Sequence, residues 1–244
     1  DSPAPDDYEQ ELILVHPNWP PHWVRFGTAG YKLEEIPFKA NDGSDYQPRE
    51  WQTENYPSCV TSYHGRLMLG GGQGFGRVET TVTQPDTEKV WGTKVGKWNQ
   101  FSYNPDDGTF DVFPDSSVQF TAKYRSPLQW LYGQKDFLMG SLEFEYIATG
   151  EGIFGPGDIG VNMHSSHGSN HVQPVAMGDI VLFPGEGGTR VRAMGKDLNT
   201  QGWIAPDLTL LNPEITSRGI KRMIRMRNPH QMILVLTNDG NISI

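Results

Sequence analysis

Short apolar runs separated by turn residues recur along the chain, and residues 56–101 show this pattern most clearly. Residues 59–63 (CVTSY) are rich in β-forming side chains, His64-Gly65 is a turn dipeptide, and residues 66–69 (RLML) form an apolar run that three glycines end. This order predicts a strand, a tight turn and a second strand.

The second half of that stretch is marked by aromatic residues. A Val-Trp pair predicts another short strand, and two further aromatic residues follow beyond a glycine break. We expect Trp91, Trp98 and Phe101 to be packing residues, because large aromatic side chains bury much apolar area. We expect Leu67 and Leu69 to lie in the core.

Most other apolar segments also read as strands. The run at residues 11–15 is apolar throughout, which is typical of a strand buried on both faces, and its short length and the prolines after it favour a strand over a helix. Residues 142–147 alternate instead, which predicts that Glu143 and Glu145 point to solvent. Almost no helix is predicted, and further strands are predicted at residues 23–26, 32–38, 118–124, 127–131, 137–141, 174–176, 180–183, 189–194, 232–236 and 242–244.

The apolar runs resemble one another. The segments ELILVHP, RLMLGG, DFLMGS, DIVLFPG and QMILVLTNDG have centres near residues 13, 68, 138, 181 and 234, so their spacings are about 55, 70, 43 and 53 residues. A degenerate repeat of roughly 40 to 50 residues with several strands per unit is typical of propeller blades. The sequence therefore predicts an all-β fold, a β-propeller or propeller-like repeats of short antiparallel strands. A β-sandwich is the alternative, since buried strands look alike in any β fold.

The domain organisation follows from the repeat. We expect one β-propeller-type domain over residues 11–244, with about five blade-like units. Residues 1–10 are acidic and contain proline, which predicts a disordered lead-in. The chain stops within a predicted hairpin, so we expect it to be a fragment, truncated at the C-terminal end of that domain.

Composition narrows the range of functions. The 28 glycines and 18 prolines suit short strands joined by turns. No stretch approaches the roughly 20 apolar residues of a membrane span, and the single cysteine, Cys59, excludes an intrachain disulfide and a cysteine metal cluster. A formal charge of −9 argues against a protein that reads nucleic-acid sequence. The one basic cluster is expected on a solvated strand and consists of Lys221, Arg222, Arg225 and Arg227.

Two motifs could suggest ligand binding. His164, His167 and His171 would present three imidazoles to one metal ion if they lay on a helix. Gly168 and its polar neighbours break a helix, so a polar loop is the better interpretation. The glycine-rich residues 70–76 lack the Gly-Lys-Ser/Thr and the β-α-β unit of a phosphate loop, so a flexible loop is predicted there.

Paired carboxylates could suggest glycosidase chemistry, which needs two carboxylates roughly 5 to 10 Å apart. However, Asp106 and Asp107 are predicted to lie in a turn, and Glu143 and Glu145 on the solvated face of a strand. The sequence therefore predicts no catalytic, cofactor-binding or metal-binding residue, no cofactor and no enzyme activity.

Several segments together resemble the tail nozzle proteins of short-tailed bacteriophages, a family also called tail tubular protein B or phage stabilisation proteins. The similar segments are an early strand ending in His-Pro (residues 12–26), a Tyr-Pro strand followed by Arg-Leu (56–71), a Gln-Pro and Trp run (84–101), a Pro-Val hairpin ending in Val-Arg (173–192) and an Asp-Leu-Thr signature (207–211). The chain departs from the family in a longer segment at residues 73–83, and in Glu214, where the family has a histidine.

The resemblance implies a structural component of a virion tail. Proteins of that family form a six-membered ring at the distal end of the tail, which extends the channel through which the genome leaves. They contact an adaptor ring and, in some cases, tail fibres. The resemblance thus implies a homo-oligomeric ring, a tail adaptor and tail fibres as partners, non-specific passage of genomic DNA, support of host attachment, and location in the virion after synthesis in the host cytoplasm. Acidic residues in such a channel would repel DNA phosphates.

Two other classes of function remain open. A glycan-binding propeller would use exposed aromatic platforms, for which Trp19, Trp23 and Trp203 are candidates, although packing between blades is the favoured interpretation of these residues. A propeller glycoside hydrolase would need a deep central pocket with converging carboxylates.

Overall fold

A computed structural model describes residues 8–27, 30–51, 55–71, 87–150, 154–197 and 202–244. This part of the chain contains no α-helix and only two short 3-10 turns, Glu186–Gly188 and Pro213–Thr216, so no helix in it could cross a membrane. The chain divides into two compact units: unit 1 is Asp1–Thr121 with Gly150–Ile159, and unit 2 is Ala122–Thr149 with Gly160–Ile244. The predicted disordered lead-in lies mostly outside the described residues, and the first strand begins at Tyr8.

The described residues of unit 1 form two antiparallel sheets and a small hairpin. The first sheet has the order β1-β2-β3 and the second β4-β5-β6-β9, with the β7-β8 hairpin inserted between β6 and β9. The strands are β1 (Tyr8–His16), β2 (Trp19–Gly27), β3 (Gly30–Glu35), β4 (Cys59–Tyr63), β5 (Arg66–Gly70), β6 (Lys89–Gly92), β7 (Tyr103–Asn104), β8 (Thr109–Phe110) and β9 (Val118–Thr121).

In the described part of unit 2 there are three further antiparallel sheets. Their orders are β10-β11-β12-β13, β14-β15-β16-β17 and β18-β19-β20, which are the third, fourth and fifth sheets. The strands are β10 (Leu128–Gly133), β11 (Phe137–Ser141), β12 (Glu145–Gly150), β13 (Ile159–Ser165), β14 (Val175–Met177), β15 (Ile180–Pro184), β16 (Val191–Lys196), β17 (Trp203–Ile204), β18 (Ile220–Met226), β19 (Met232–Thr237) and β20 (Ile242–Ser243).

The five sheets are meanders in which each strand pairs with its neighbour along the chain, apart from the inserted hairpin. Small up-and-down sheets repeated in this way are the blades of a β-propeller. The predicted fold class is therefore confirmed: the protein is all-β, with a propeller arrangement of short antiparallel strands.

The predicted strand-turn-strand at residues 59–69 is confirmed. His64 and Gly65 both have positive φ, 46° and 70°, and they connect the Tyr63–Arg66 pair that ends the β4-β5 ladder. A two-residue turn of this kind matches the right-handed twist of the two strands, and glycine reaches its positive φ without strain.

The repeat predicted from the apolar runs matches the sheets in part. RLMLGG, DFLMGS, DIVLFPG and QMILVLTNDG lie on β5, β11, β15 and β19, the second strands of their sheets. ELILVHP is instead β1, the first strand of its sheet, so β2 is the strand equivalent to the other four. The long spacing of about 70 residues between β5 and β11 includes the inserted β7-β8 hairpin.

The core of unit 1 is aromatic. Leu67, Leu69, Trp91 and Phe101 are buried in one cluster, as predicted, and Trp51 meets Trp91 edge to face with ring centroids 5.6 Å apart. The prediction for Trp98 is wrong, because 50 % of that residue is exposed. It lies outside the strands, beyond a turn at Gly96, which has a φ of 70°.

Arg66 forms hydrogen bonds to several irregular segments of unit 1. Its guanidinium is fully buried and donates hydrogen bonds to main-chain carbonyl oxygens of Thr93, Pro114, Asp115, Ser116 and Phe154. The Nη1–O distance to Thr93 and the Nη2–O distance to Pro114 are both 2.9 Å. A charged donor forms stronger hydrogen bonds than a neutral one, so one side chain stabilises several irregular segments at once.

We expect Arg66→Met to destabilise the protein by at least about 3 kcal/mol, because several buried carbonyl oxygens lose their donor. Urea unfolding followed by tryptophan fluorescence measures this change. Arg227→Met, at an exposed arginine, is the matched control and should change the free energy of unfolding by less than about 0.5 kcal/mol. Equal effects of the two substitutions would contradict this role of Arg66.

Candidate functional site: two uncovered sheet faces

The central strands of the second, third and fourth sheets are covered on both faces. Every residue of β5 and of β11 is buried, and in β15 only the first residue is exposed. Successive side chains of a strand point to opposite faces of its sheet. Complete burial of a strand therefore means that other parts of the protein pack on both faces.

The first sheet is covered on one face only. Ile13, Val15 and Trp23 pack against the core of unit 1. Leu12 pairs with Val24 across the β1-β2 ladder, and Val24 pairs with Leu33 across the β2-β3 ladder, so these three side chains lie on the opposite face. On that face, Leu12 is 51 % and Leu33 is 55 % exposed. We call this surface the first-sheet face; it consists of Leu12, Leu14, Val24, Phe26, Tyr31 and Leu33.

The fifth sheet has the same asymmetry. Ile220, Met223 and Val235 are buried in a core cluster of unit 2. The opposite face includes Ile224, which is 50 % exposed, and Ile242, which is 66 % exposed. We call this surface the fifth-sheet face; it consists of Ile224, Met226, Met232, Leu234, Leu236 and Ile242.

The two faces carry opposite unpaired charges. In the first sheet, Arg25 pairs with Glu11 at 2.9 Å and Lys32 with Glu34 at 2.7 Å, whereas Glu35 forms no ion pair with any described residue. Glu35 stands opposite His22 in the register and so belongs to the uncovered side of the sheet.

The basic cluster predicted to lie on a solvated strand lies on β18 and directly after it, and the prediction is confirmed for Lys221 and Arg222. Lys221, Arg222 and Arg227 are exposed, and Arg225 is partly buried. Within the described ranges, none of the four forms a salt bridge. Arg222 stands opposite Leu236, so it belongs to the fifth-sheet face.

Glu145 contradicts the prediction of a solvated strand face, because it is fully buried. It accepts hydrogen bonds from Ser165 Oγ at 2.5 Å, Ser169 Oγ at 3.0 Å and the main-chain N–H of His167 at 3.3 Å. Burial raises the pKa of Glu145, while these hydrogen bonds act in the opposite direction. The alternation of apolar and acidic residues predicts one solvated face, but the adjacent residues Glu145 and Tyr146 are both buried. Both faces of β12 are therefore covered at the start of the strand.

The three histidines do not form a metal site. His164 lies on β13, while His167 and His171 lie in the loop after it, so the predicted polar loop is right for two of the three. Burial lowers the pKa of His164 and of His167. Within the part of the chain that the structure describes, no three His, Cys, Asp or Glu side chains come together as metal ligands.

The other predicted motifs have structural roles or cannot be placed. Asp107 lies in the predicted turn and accepts hydrogen bonds from the main-chain N–H of Thr109 at 2.9 Å and its Oγ1 at 2.7 Å. Burial raises the pKa of the Cys59 thiol to about 12, which keeps it protonated and unreactive. Residues 72–76 of the glycine-rich segment lie outside the described residues.

The three tryptophans considered for glycan binding differ in their surroundings. Trp19 is exposed and Trp23 packs against the core of unit 1. Trp203 lines a pocket of about 280 Å³ together with Asp136, Asp179 and other residues of unit 2. Packing is therefore the correct interpretation for Trp23, whereas the indole ring of Trp19 is exposed to solvent. Trp203 packs against a core cluster of unit 2 and also lines the pocket.

Comparison with known proteins adds no further constraint. No model of a protein family matches the chain, and no curated protein sequence resembles it significantly.

Glu145 predicts a pH dependence of stability. A carboxyl group whose pKa is raised in the folded state takes up a proton more readily there than in the unfolded chain, so stability falls as pH rises through the window from the unfolded pKa to the raised one. Glu145→Gln removes this titration. We expect the free energy of unfolding of the wild type, relative to that of the variant, to decrease as pH rises above about 4.5.

Urea unfolding of both proteins across acidic and neutral pH measures this difference. Glu143→Gln, at the exposed neighbouring carboxyl, is the matched control and should run parallel to the wild type. A constant difference between the wild type and Glu145→Gln across that window would show that Glu145 keeps its ordinary pKa in the fold.

Proposed function

We propose that the chain is a structural propeller module of a bacteriophage tail nozzle, without enzyme activity. The observation that carries this proposal is the pair of apolar sheet faces left uncovered on the first and fifth sheets. Contiguous exposed apolar patches on a protein mark surfaces that pack against another protein surface. An assembly protein needs such surfaces, whereas an enzyme needs a pocket with convergent reactive groups.

The resemblance to tail nozzle proteins is the reason for proposing a phage tail as the specific assembly. Its segments coincide with regular elements of the sheets: residues 12–26 span most of β1 and β2, and residues 56–71 contain β4 and β5. The Trp run contains β6, and the Pro-Val segment contains β14 and β15. The resemblance thus involves the strands that build the blades, which supports a common fold more strongly than matches in loops do.

Charge is compatible with a role in a channel for DNA. The net charge of −9 disfavours sticking of the phosphate backbone, because like charges repel. In this proposal the chain belongs to a homo-oligomeric ring below a tail adaptor, with tail fibres as side partners, and genomic DNA passes through without sequence-specific contact.

Immunogold electron microscopy tests this function. Antibodies raised against the purified chain are expected to label the distal tip of the tail in short-tailed phage particles from the culture that carries this gene. Antibodies absorbed with the chain beforehand are the control and should leave the particles unlabelled. Particles without label at the tail tip would contradict the proposed function.

The pocket at Trp203 favours glycan binding as a second candidate function. Trp203 provides an aromatic wall, Asp136 and Asp179 provide hydrogen-bond acceptors, and Lys196 Nζ lies 5.3 Å from the ring centroid of Trp203. Pockets that bind small ligands combine apolar walls with a few polar groups. No observation on the described residues favours the glycoside hydrolase alternative.

A glycan array distinguishes this second function from a purely structural one. If the pocket binds a glycan, Trp203→Ala is expected to lower the affinity at least about tenfold, because the aromatic contact is lost. Trp98→Ala, at an exposed tryptophan elsewhere in the chain, should leave the affinity unchanged. An array without any signal would remove the glycan-binding function.

A further inference from the structure

We propose that a pocket in unit 1 binds a methylated ammonium group, such as the trimethylammonium group of choline, between aromatic rings and one carboxylate. The pocket has a volume of about 190 Å³, and all the residues that line it belong to unit 1. Its aromatic walls are Tyr46, Trp91, Phe101 and Phe110, and its carboxylate is that of Asp111. The site is separate from the two sheet faces and from the pocket at Trp203, so it does not depend on the proposed role in a phage tail.

The pocket has a buried floor and an open rim. Trp91, Phe101 and Val118 are at most 3 % exposed, and they form the floor. Val112 is 77 % exposed and Gln119 is exposed as well, and both lie at the rim. A small ligand can therefore enter from solvent and reach an apolar, aromatic surface.

The aromatic rings stand at steep angles to one another. The ring of Tyr46 lies edge to face with Phe101 and with Phe110, at centroid distances of 5.6 and 6.1 Å. Tyr103 stacks on Tyr46 at 4.5 Å and fixes the position of that ring. A flat ligand stacks best between parallel rings, whereas a tetrahedral methylated ammonium group presents methyl groups in several directions. The faces of such rings attract a cation within about 6 Å of their centroids.

Asp111 supplies a negative charge at the pocket. Its Oδ1 accepts a hydrogen bond from Asn104 Nδ2 at 2.9 Å, and its Oδ2 accepts one from Asn41 Nδ2 at 2.6 Å. The two neutral amides orient the carboxylate without neutralising it, and Asp111 forms no ion pair with any described residue. No described Lys, Arg or His lines the pocket. The charge therefore favours a cation over an anion.

One lysine of the protein lies near the same rings. Lys89 Nζ is 5.5 Å from the ring centroid of Trp91, which shows that this ring attracts a cation. Lys89 does not line the pocket, and it is paired with Glu50 at 2.6 Å. Its charge is therefore balanced by Glu50, and the charge of Asp111 is left for a ligand.

Size and hydration favour a small methylated cation. An apolar cavity of about 150 Å³ holds a benzene molecule, and sites for drug-sized ligands begin at about 300 Å³, so this pocket suits a compact group. A plain ammonium group has several N–H donors and is strongly hydrated. Placing it on an apolar floor would leave donors without acceptors, which costs free energy. Methyl groups replace these donors and keep the positive charge.

Isothermal titration calorimetry of the purified chain with choline chloride tests the site, with sodium chloride at equal ionic strength as the reference. Saturable binding of one choline per chain is expected. The neutral isostere of choline, in which a tert-butyl group replaces the trimethylammonium group, has the same shape and should bind at least about tenfold more weakly, because it gains no cation–π attraction. Ammonium chloride should give no saturable heat.

Two variants test the walls of the pocket. Phe110→Leu keeps an apolar side chain and removes the aromatic ring, and Asp111→Asn keeps the shape and removes the charge. Each is expected to weaken choline binding about three- to tenfold. Phe113→Leu and Asp106→Asn, at exposed residues that do not line the pocket, are the matched controls and should bind like the wild type. Circular dichroism checks that every variant keeps its strands.

Vesicles distinguish the two sources of such a group. If the ligand is a lipid headgroup, the chain should sediment with phosphatidylcholine vesicles and not with phosphatidylglycerol vesicles, and Phe110→Leu should reduce this binding. If the ligand is a free solute, choline should bind while the chain stays in the supernatant with both kinds of vesicle. Both results support the site.

Three results would overturn the proposal. The first is the absence of saturable heat with choline up to high millimolar concentration. The second is equal affinity for choline and its neutral isostere, which would show an apolar pocket that does not recognise charge. The third is unchanged choline binding in both Phe110→Leu and Asp111→Asn, which would place the bound choline elsewhere on the protein.

Discussion

A β-sheet with apolar side chains on both faces is stable only when both faces are covered, and this constraint organises the whole chain. The central strands β5, β11 and β15 meet it almost completely within the protein. The first and fifth sheets have the same kind of side chains and meet it on one face only. The first and fifth sheets are thus the two sheets with an apolar face that no described residue covers.

Much of the fold can be predicted from local pattern, because strand and turn propensities act over a few residues. The turn at His64-Gly65 and the burial of Leu67 and Leu69 follow from such local rules. The prediction for Trp98 fails because aromatic character indicates a capacity to pack but does not reveal whether a partner is near. The prediction for Glu145 fails because its hydrogen-bond donors lie twenty or more residues further along the chain, beyond the reach of a local pattern.

The candidate site is harder to predict for a related reason. The apolar run at residues 11–15 predicts a strand buried on both faces, and this prediction is wrong, because Leu12 and Leu14 are exposed. The sequence shows that one face of a strand is apolar. Whether other residues cover that face is seen only in the structure. The combination of an apolar strand with an uncovered face is what identifies the two surfaces, and the basic residues on β18 give one of them its distinctive charge.

The Arg66 side chain has a consequence for how the protein is made. The carbonyl acceptor that comes last in the sequence is that of Phe154. Phe154 belongs to unit 1, but β10, β11 and β12 of unit 2 precede it in the sequence and separate it from the rest of unit 1. During synthesis on a ribosome, the hydrogen bond from Arg66 to Phe154 cannot form until β10, β11 and β12 of the third sheet have been synthesised. Unit 1 is therefore complete only after residues 150–159 have been synthesised, which follow three strands of unit 2 in the sequence, although each unit has its own core.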